Sequence, residues 1–189
     1  GSPSSMGLTS QSSWKFNTPH SFGIHHAQAP YPYRGHFGYD DPEAGRKYAD
    51  DVKSLIDYAT SGHVAAFFAE SIQGVGGYVE YPPGYLAHAY AHVRAAGGVC
   101  IADEVQTGLG RTGKLLACEH DGVRPDGVII GKALGGGLLP VSAFLADEKL
   151  MQVFHPGDHG STFGGNPLAA AVAAEALALL ADEKLAERS

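Results

Sequence analysis

Apolar residues along the chain come in short unbroken runs separated by glycine-rich turns and by stretches of helical period. Val64 to Ala69, Val99 to Ala102 and Gly127 to Gly131 are each nearly continuous in Val, Ile, Phe, Ala and Cys. Runs this short, without alternation, predict strands of a parallel sheet buried on both faces. Between the first two, Pro83 to Ala96 places Tyr85, Leu86, Ala89, Tyr90 and Val93 on one face and stops at Gly97-Gly98, as a crossover helix does. Ala44 to Thr60, apolar at Tyr48, Val52, Leu55, Ile56 and Tyr58, predicts an amphipathic helix before the first strand. Leu138 to Leu145 predicts a further strand, with Pro140 marking an edge or an irregular start. Asp147 opens a short helix, and Asn166-Pro167 starts a last one whose Ala-rich run to Leu180 is apolar enough to be largely buried. Residues 1–45 show no sustained period and predict irregular loops, leaving 46–189 as an α/β core. Strand, helix, strand in this order predicts a three-layer α-β-α fold with a mostly parallel sheet and right-handed crossovers.

The 189 residues carry a formal net charge of -7, which offers no basic stripe for nucleic acid or an anionic membrane. No apolar run is long enough to span a bilayer. Two cysteines, Cys100 inside a predicted buried strand and Cys118, argue against a disulfide framework and for a reducing compartment, cytoplasm or mitochondrial matrix, rather than secretion. His20, His25, His26 and His36 lie in a loop without a matching Cys or acid pattern, so no metal site is expected.

The candidate chemistry lies where two of these strands end. The run through Ala102 delivers Asp103, and the run through Ile130 delivers Lys132 into Gly-Lys-Ala-Leu-Gly-Gly-Gly. A lysine amine to form a Schiff base with an aldehyde, with an acid to keep a pyridine nitrogen protonated, is what pyridoxal 5'-phosphate chemistry needs. Two plainer readings stand beside it: strand-terminal acids are common at the carboxyl edge of any α/β sheet, and Gly-Lys after a strand can be a surface turn. Glu104, projecting to the opposite side from Asp103, is expected to form a structural ion pair.

Three blocks separate these readings. Phe68-Ala69-Glu70-Ser71-Ile72-Gln73-Gly74-Val75-Gly76-Gly77, Ile101 to Gly113 around Asp103-Glu104-Val105-Gln106-Thr107-Gly108, and His159-Gly160-Ser161-Thr162-Phe163-Gly164-Gly165-Asn166-Pro167 resemble, in order and spacing, signatures of the class III aminotransferases. The resemblance implies the large domain of a fold-type I pyridoxal phosphate enzyme. It implies Lys132 as the catalytic lysine, Asp103 at the ring nitrogen and Gln106 at the phenolic oxygen. Thr162, with Ser161 as a weaker candidate, would reach the phosphate of a partner subunit's cofactor in a homodimer, and Glu70 would stand on the substrate side. The partners implied are an amino donor and a 2-oxo acid.

Substrate choice stays open at this level. Trp14-Lys15-Phe16, Pro32-Tyr33-Arg34-Gly35 and Gly97-Gly98-Val99-Cys100-Ile101 are similar to the alanine-glyoxylate members and the amino-alcohol-phosphate phospholyases. Leu134 to Ala143 and His159 to Thr162 are more similar to ornithine and acetylornithine members, yet Val75 stands where ornithine-type members carry a second glutamate. Complete members are roughly twice as long, in line with two domains of ordinary size. The chain is therefore expected to be a central piece of the large domain, truncated at both ends and without the small C-terminal domain. A non-catalytic fragment is the alternative that this raises.

Overall fold

The computed structural model describes residues 3–10 and 22–189. Trp14-Lys15-Phe16 and His20 lie outside the described residues. Strands β1 (Ala66–Glu70), β2 (Val99–Asp103), β3 (Gly127–Ile130) and β4 (Ala143–Ala146) form one sheet in that order. The first three run parallel and β4 pairs antiparallel with β3. The strand predicted from Leu138 is thus four residues long, begins after the Pro140 turn and lies at the sheet edge, where a proline's missing N–H is tolerated.

Alternation and register put Phe67, Cys100 and Val128 on one face of the sheet and Phe68, Ile101 and Gly127 on the other. Helices α2 (Ala44–Ala59) and α3 (Tyr85–Ala95) pack on the first face; α1 (Pro3–Leu8) is a short outlier. Tyr48, Ala49, Val52 and Ile56 of α2 meet Leu86, Ala89, Tyr90 and Val93 of α3 over Cys100, and Phe67 stands edge-on to Tyr90 at 6.3 Å between centroids. Burying each large apolar side chain here contributes roughly 1.5–3 kcal/mol before entropy is counted. Asp126, just ahead of β3, accepts from the Cys100 N–H at 2.8 Å and from Arg94, tying α3 to the start of two strands.

Two expectations need correction. The first strand begins at Ala66 rather than Val64 and is only partly buried, through Phe67 and Ala69 on one side, while Phe68 on the other remains 47% exposed. On that second face, Phe144 of β4 lies across Gly127, where a Cβ would come within 2.7 Å of its ring, and both phenylalanines remain exposed. The last helix, α5 (Pro167–Asp182), starts as expected, with Asn166 Oδ1 accepting from the Ala169 N–H at 2.8 Å. It is not largely buried: only Ala169 is, because α5 packs on the turn after β3 and on the C-terminal turn rather than on the sheet. The short helix α4 (Glu148–Met151) follows Asp147 as expected. Among the described residues no helix is long and apolar enough to cross a membrane, and no three His, Cys, Asp or Glu side chains gather as metal ligands would.

Candidate active site

The carboxyl ends of β1, β2 and β3 lie side by side, and each delivers one functional side chain. Asp103 closes β2, in register with Glu70 at the end of β1. The Val105 N–H donates to Asp103 Oδ1 at 3.1 Å, which leaves Oδ2 without a donor among the described residues. Glu104 continues the ladder, its N–H donating to the Ile129 carbonyl at 2.9 Å, and its own carbonyl accepts from Gly108 to close a tight turn. That turn carries Gln106.

Lys132 does not sit on the strand itself. Gly131 is extended, and Lys132 opens a 3₁₀ turn (Lys132–Gly135) with φ 42°, in the left-handed region. For a residue with a Cβ this conformation costs roughly 1–2 kcal/mol, and it sends the side chain sideways across the sheet edge. Its Nζ donates to Gln106 Oε1 at 2.8 Å, and among the described residues it forms no salt bridge. Gln106 is held from behind by Gly74, where a Cβ would lie 2.6 Å from the Gln106 amide carbon. The Gly74 N–H in turn donates to Glu70 Oε2 at 2.7 Å. Glu70, Asp103, Gln106 and Lys132 therefore converge at the edge where open α/β sheets bind ligands.

Beside Lys132 opens a cleft of about 620 Å³ whose walls include Val141, Ser142, Phe163 and Asn166. That volume falls within the usual range for small-molecule sites. Ser161 and Thr162 are exposed on the loop forming the far wall, and Ser161 Oγ accepts from the Gly164 N–H at 2.9 Å. Thr162 itself does not line the cleft, although its neighbour Phe163 does.

Beneath the site the side chains are buried and neutral or hydrogen-bonded. Burial pushes the Cys118 and Cys100 thiols up to about 12, and both are free. Burial likewise raises the Tyr81 hydroxyl. Glu104 makes no ion pair, contrary to expectation. Its carboxylate is 1% exposed and accepts from Ser71, Thr107, Ala117 and Cys118. Four neutral donors replace the expected cation because two backbone N–H groups and two hydroxyls already point into that pocket.

Sequence reasoning missed Gly74, Ser142 and Phe163 as parts of the site. Gly74 was legible in principle as a glycine just after a strand, where backbone and side chain approach closely. Ser142 enters only because β4 folds back antiparallel, which a short apolar run does not announce.

A family model, Aminotransferase class-III, matches residues 2–189. The mitochondrial alanine--glyoxylate aminotransferase 2 homolog 2 of Arabidopsis thaliana is 45% identical over 97% of this chain and 37% of its own length. The ornithine aminotransferase of Bacillus subtilis is 54% identical over 74% of this chain and 34% of its own. The ornithine aminotransferase of Toxoplasma gondii, whose structure reveals partial occupancy of PLP at its active site, superposes with a TM-score of 0.79 at 41% identity, over 97% of this chain and 38% of that one. The chain spans 37% and 34% of the lengths of these two curated relatives.

Proposed function

The chain belongs to the class III aminotransferases, and from that premise we propose that it forms the cofactor-holding part of a pyridoxal 5'-phosphate-dependent transaminase, moving an amino group from an amine or amino acid to a 2-oxo acid. The observation that carries this is the Lys132 amine, bonded at 2.8 Å to a neutral amide rather than to a carboxylate, at the mouth of a small-molecule cleft. We read residues 46–189 as the α/β core of the large domain.

The donor set suits the cofactor. An amine without an ionic partner among the described residues, an amide bonded to it and a carboxylate with one oxygen open match an aldehyde, a phenolic oxygen and a ring nitrogen. Bound there, pyridoxal phosphate supplies an aldehyde that condenses with amines and a ring that draws electrons from a substrate carbon. Lys132 would hold it through Nζ and, once displaced by the amino donor, move a proton at that same nitrogen. Asp103 would keep the ring nitrogen protonated, and Gln106 would donate through its amide nitrogen while orienting Lys132 through Oε1. Glu70, anchored to the Gly74 N–H, would stand on the substrate side. Ser161 and Thr162 would reach the phosphate held by a partner subunit, which makes the working unit a homodimer. The cytoplasm or the mitochondrial matrix is the compartment, a reading supported by bacterial and mitochondrial relatives.

Ornithine is the second amino donor to test, favoured by 54% identity to an ornithine aminotransferase. Phosphate release from an amino-alcohol phosphate without a 2-oxo acid would identify the phospholyase reaction instead. The deciding experiment is borohydride reduction of the protein with pyridoxal phosphate, followed by peptide mapping and a screen of amino donors. The adduct is expected on Lys132, with turnover lost in Lys132→Ala; an adduct elsewhere, or undiminished activity in that variant, overturns the reading.

A further inference from the structure

We infer that Glu104 is a positioning residue for this site: its buried carboxylate fixes where Asp103 and Gln106 stand relative to Lys132. The inference rests on the reading of those three residues as the cofactor-holding set.

Oε1 of Glu104 accepts from Ser71 Oγ at 2.5 Å and from the Cys118 N–H at 2.8 Å. Oε2 accepts from Thr107 Oγ1 at 2.6 Å and from the Ala117 N–H at 3.0 Å. Ser71 and Thr107 are themselves buried. The donors come from three separate stretches: the exit of β1, the turn after β2 and the start of the 3₁₀ turn Ala117–Asp121. Two of these stretches, and Glu104 itself, carry a site residue close by in sequence. Ser71 leads to Gly74, the wall behind Gln106; Thr107 follows Gln106; Glu104 follows Asp103. One carboxylate thus clamps, from the helix-covered side of the sheet, the pieces whose relative placement sets the 2.8 Å bond from Lys132 to Gln106.

The same geometry explains why the residue is a glutamate. Each oxygen faces one hydroxyl and one backbone N–H. A hydroxyl can turn and accept, whereas a backbone N–H cannot. A glutamine would therefore leave one buried N–H facing its own NH₂ group, whichever way the amide flips. An aspartate, one methylene shorter, cannot reach all four donors.

The test compares wild-type protein with Glu104→Gln and Thr107→Val, each loaded with pyridoxal phosphate. Three quantities are read: the pH midpoint of the visible band of the lysine-bound cofactor, the rate at which the Lys132 amine is labelled in cofactor-free protein, and the melting temperature. In Glu104→Gln the midpoint is expected to move by roughly half a pH unit or more, with kcat down about tenfold and KM little changed. The labelling rate should change with it, and Thr107→Val should follow in the same direction by less. A lower melting temperature with midpoint and labelling rate unmoved in both variants overturns the inference, because a purely structural carboxylate predicts that result. If Glu104→Gln does not fold, Thr107→Val and Ser71→Ala decide by the same readouts. A wild-type protein without a visible band sinks the cofactor reading, while the labelling rates still report whether Glu104 governs the Lys132 amine.

Discussion

The Lys132 amine donates to an amide, and that pairing depends on a glycine from another strand exit. Gly74 has no unusual backbone angle to satisfy; what it lacks is a Cβ, which would press within 2.6 Å of the Gln106 amide carbon. Gly74→Ala is therefore expected to push Gln106 away from Lys132 with little effect on the fold. Losing one hydrogen bond to a charged group is worth roughly 1.5–3 kcal/mol, so kcat should fall about tenfold or more, with the melting temperature nearly constant. Comparison with Gly74→Ser, which adds the same crowding, checks that the effect is steric. At this scale part of the geometry was legible: Asp103 closes β2 where the apolar run placed it, and the Lys132 amine bonds Gln106. Glu104 was misjudged because three of its four partners, Ser71, Ala117 and Cys118, lie far off in sequence, and a strand pattern names the side a residue faces but not the donors waiting there.

Between elements, two tyrosines in the helical layer show how differently one hydroxyl can be used. The Tyr48 hydroxyl accepts from the Phe37 N–H at 3.1 Å and can donate to the Tyr31 or Phe37 carbonyl, so α2 holds the preceding loop in place. The Tyr90 hydroxyl in α3 is buried without a hydrogen-bond partner among the described residues. Tyr48→Phe is expected to cost about 1–2 kcal/mol, whereas Tyr90→Phe should be neutral or stabilising, since it removes an unsatisfied polar atom. Urea unfolding of both variants separates the two cases. The helical face of α3 was readable residue by residue, because an amphipathic period encodes its own buried side. β1 and α5 were not. An all-apolar run looks the same whether one face or both are covered, and the partner surface is set by topology rather than by the run itself.

Across the whole molecule, buried acids without charge make the fold sensitive to alkali. The Cys100 and Cys118 thiols are raised by burial to about 12, and Tyr81, Tyr85 and Tyr90 are raised for the same cause. A folded thiol that stays protonated while its unfolded counterpart ionises near pH 8.5 stabilises the fold fully below that pH. The contribution is lost progressively as pH rises from about 8.5 toward 12. Each thiol should cost the fold roughly 1.4 kcal/mol near pH 9.5. Urea midpoints measured between neutral pH and that value should fall, and Cys100→Ala or Cys118→Ala should flatten the decline. The fold class was legible here, from strand, helix and strand in order. The exposed second face of the sheet was not, because burial is a property of what packs against a strand.

Because β4 turns back along β3, Lys132 and Ser142 are only ten residues apart in the chain. A loop of that length closes in roughly 10–100 ns. The bond from Lys132 to Gln106 spans 26 residues and that from Ser71 to Glu104 spans 33. Longer loops close later and at greater entropic cost. On loop length alone, the amine is expected to acquire its near wall before its chemical partners, standing for a time in a half-built cleft with nothing yet to direct it.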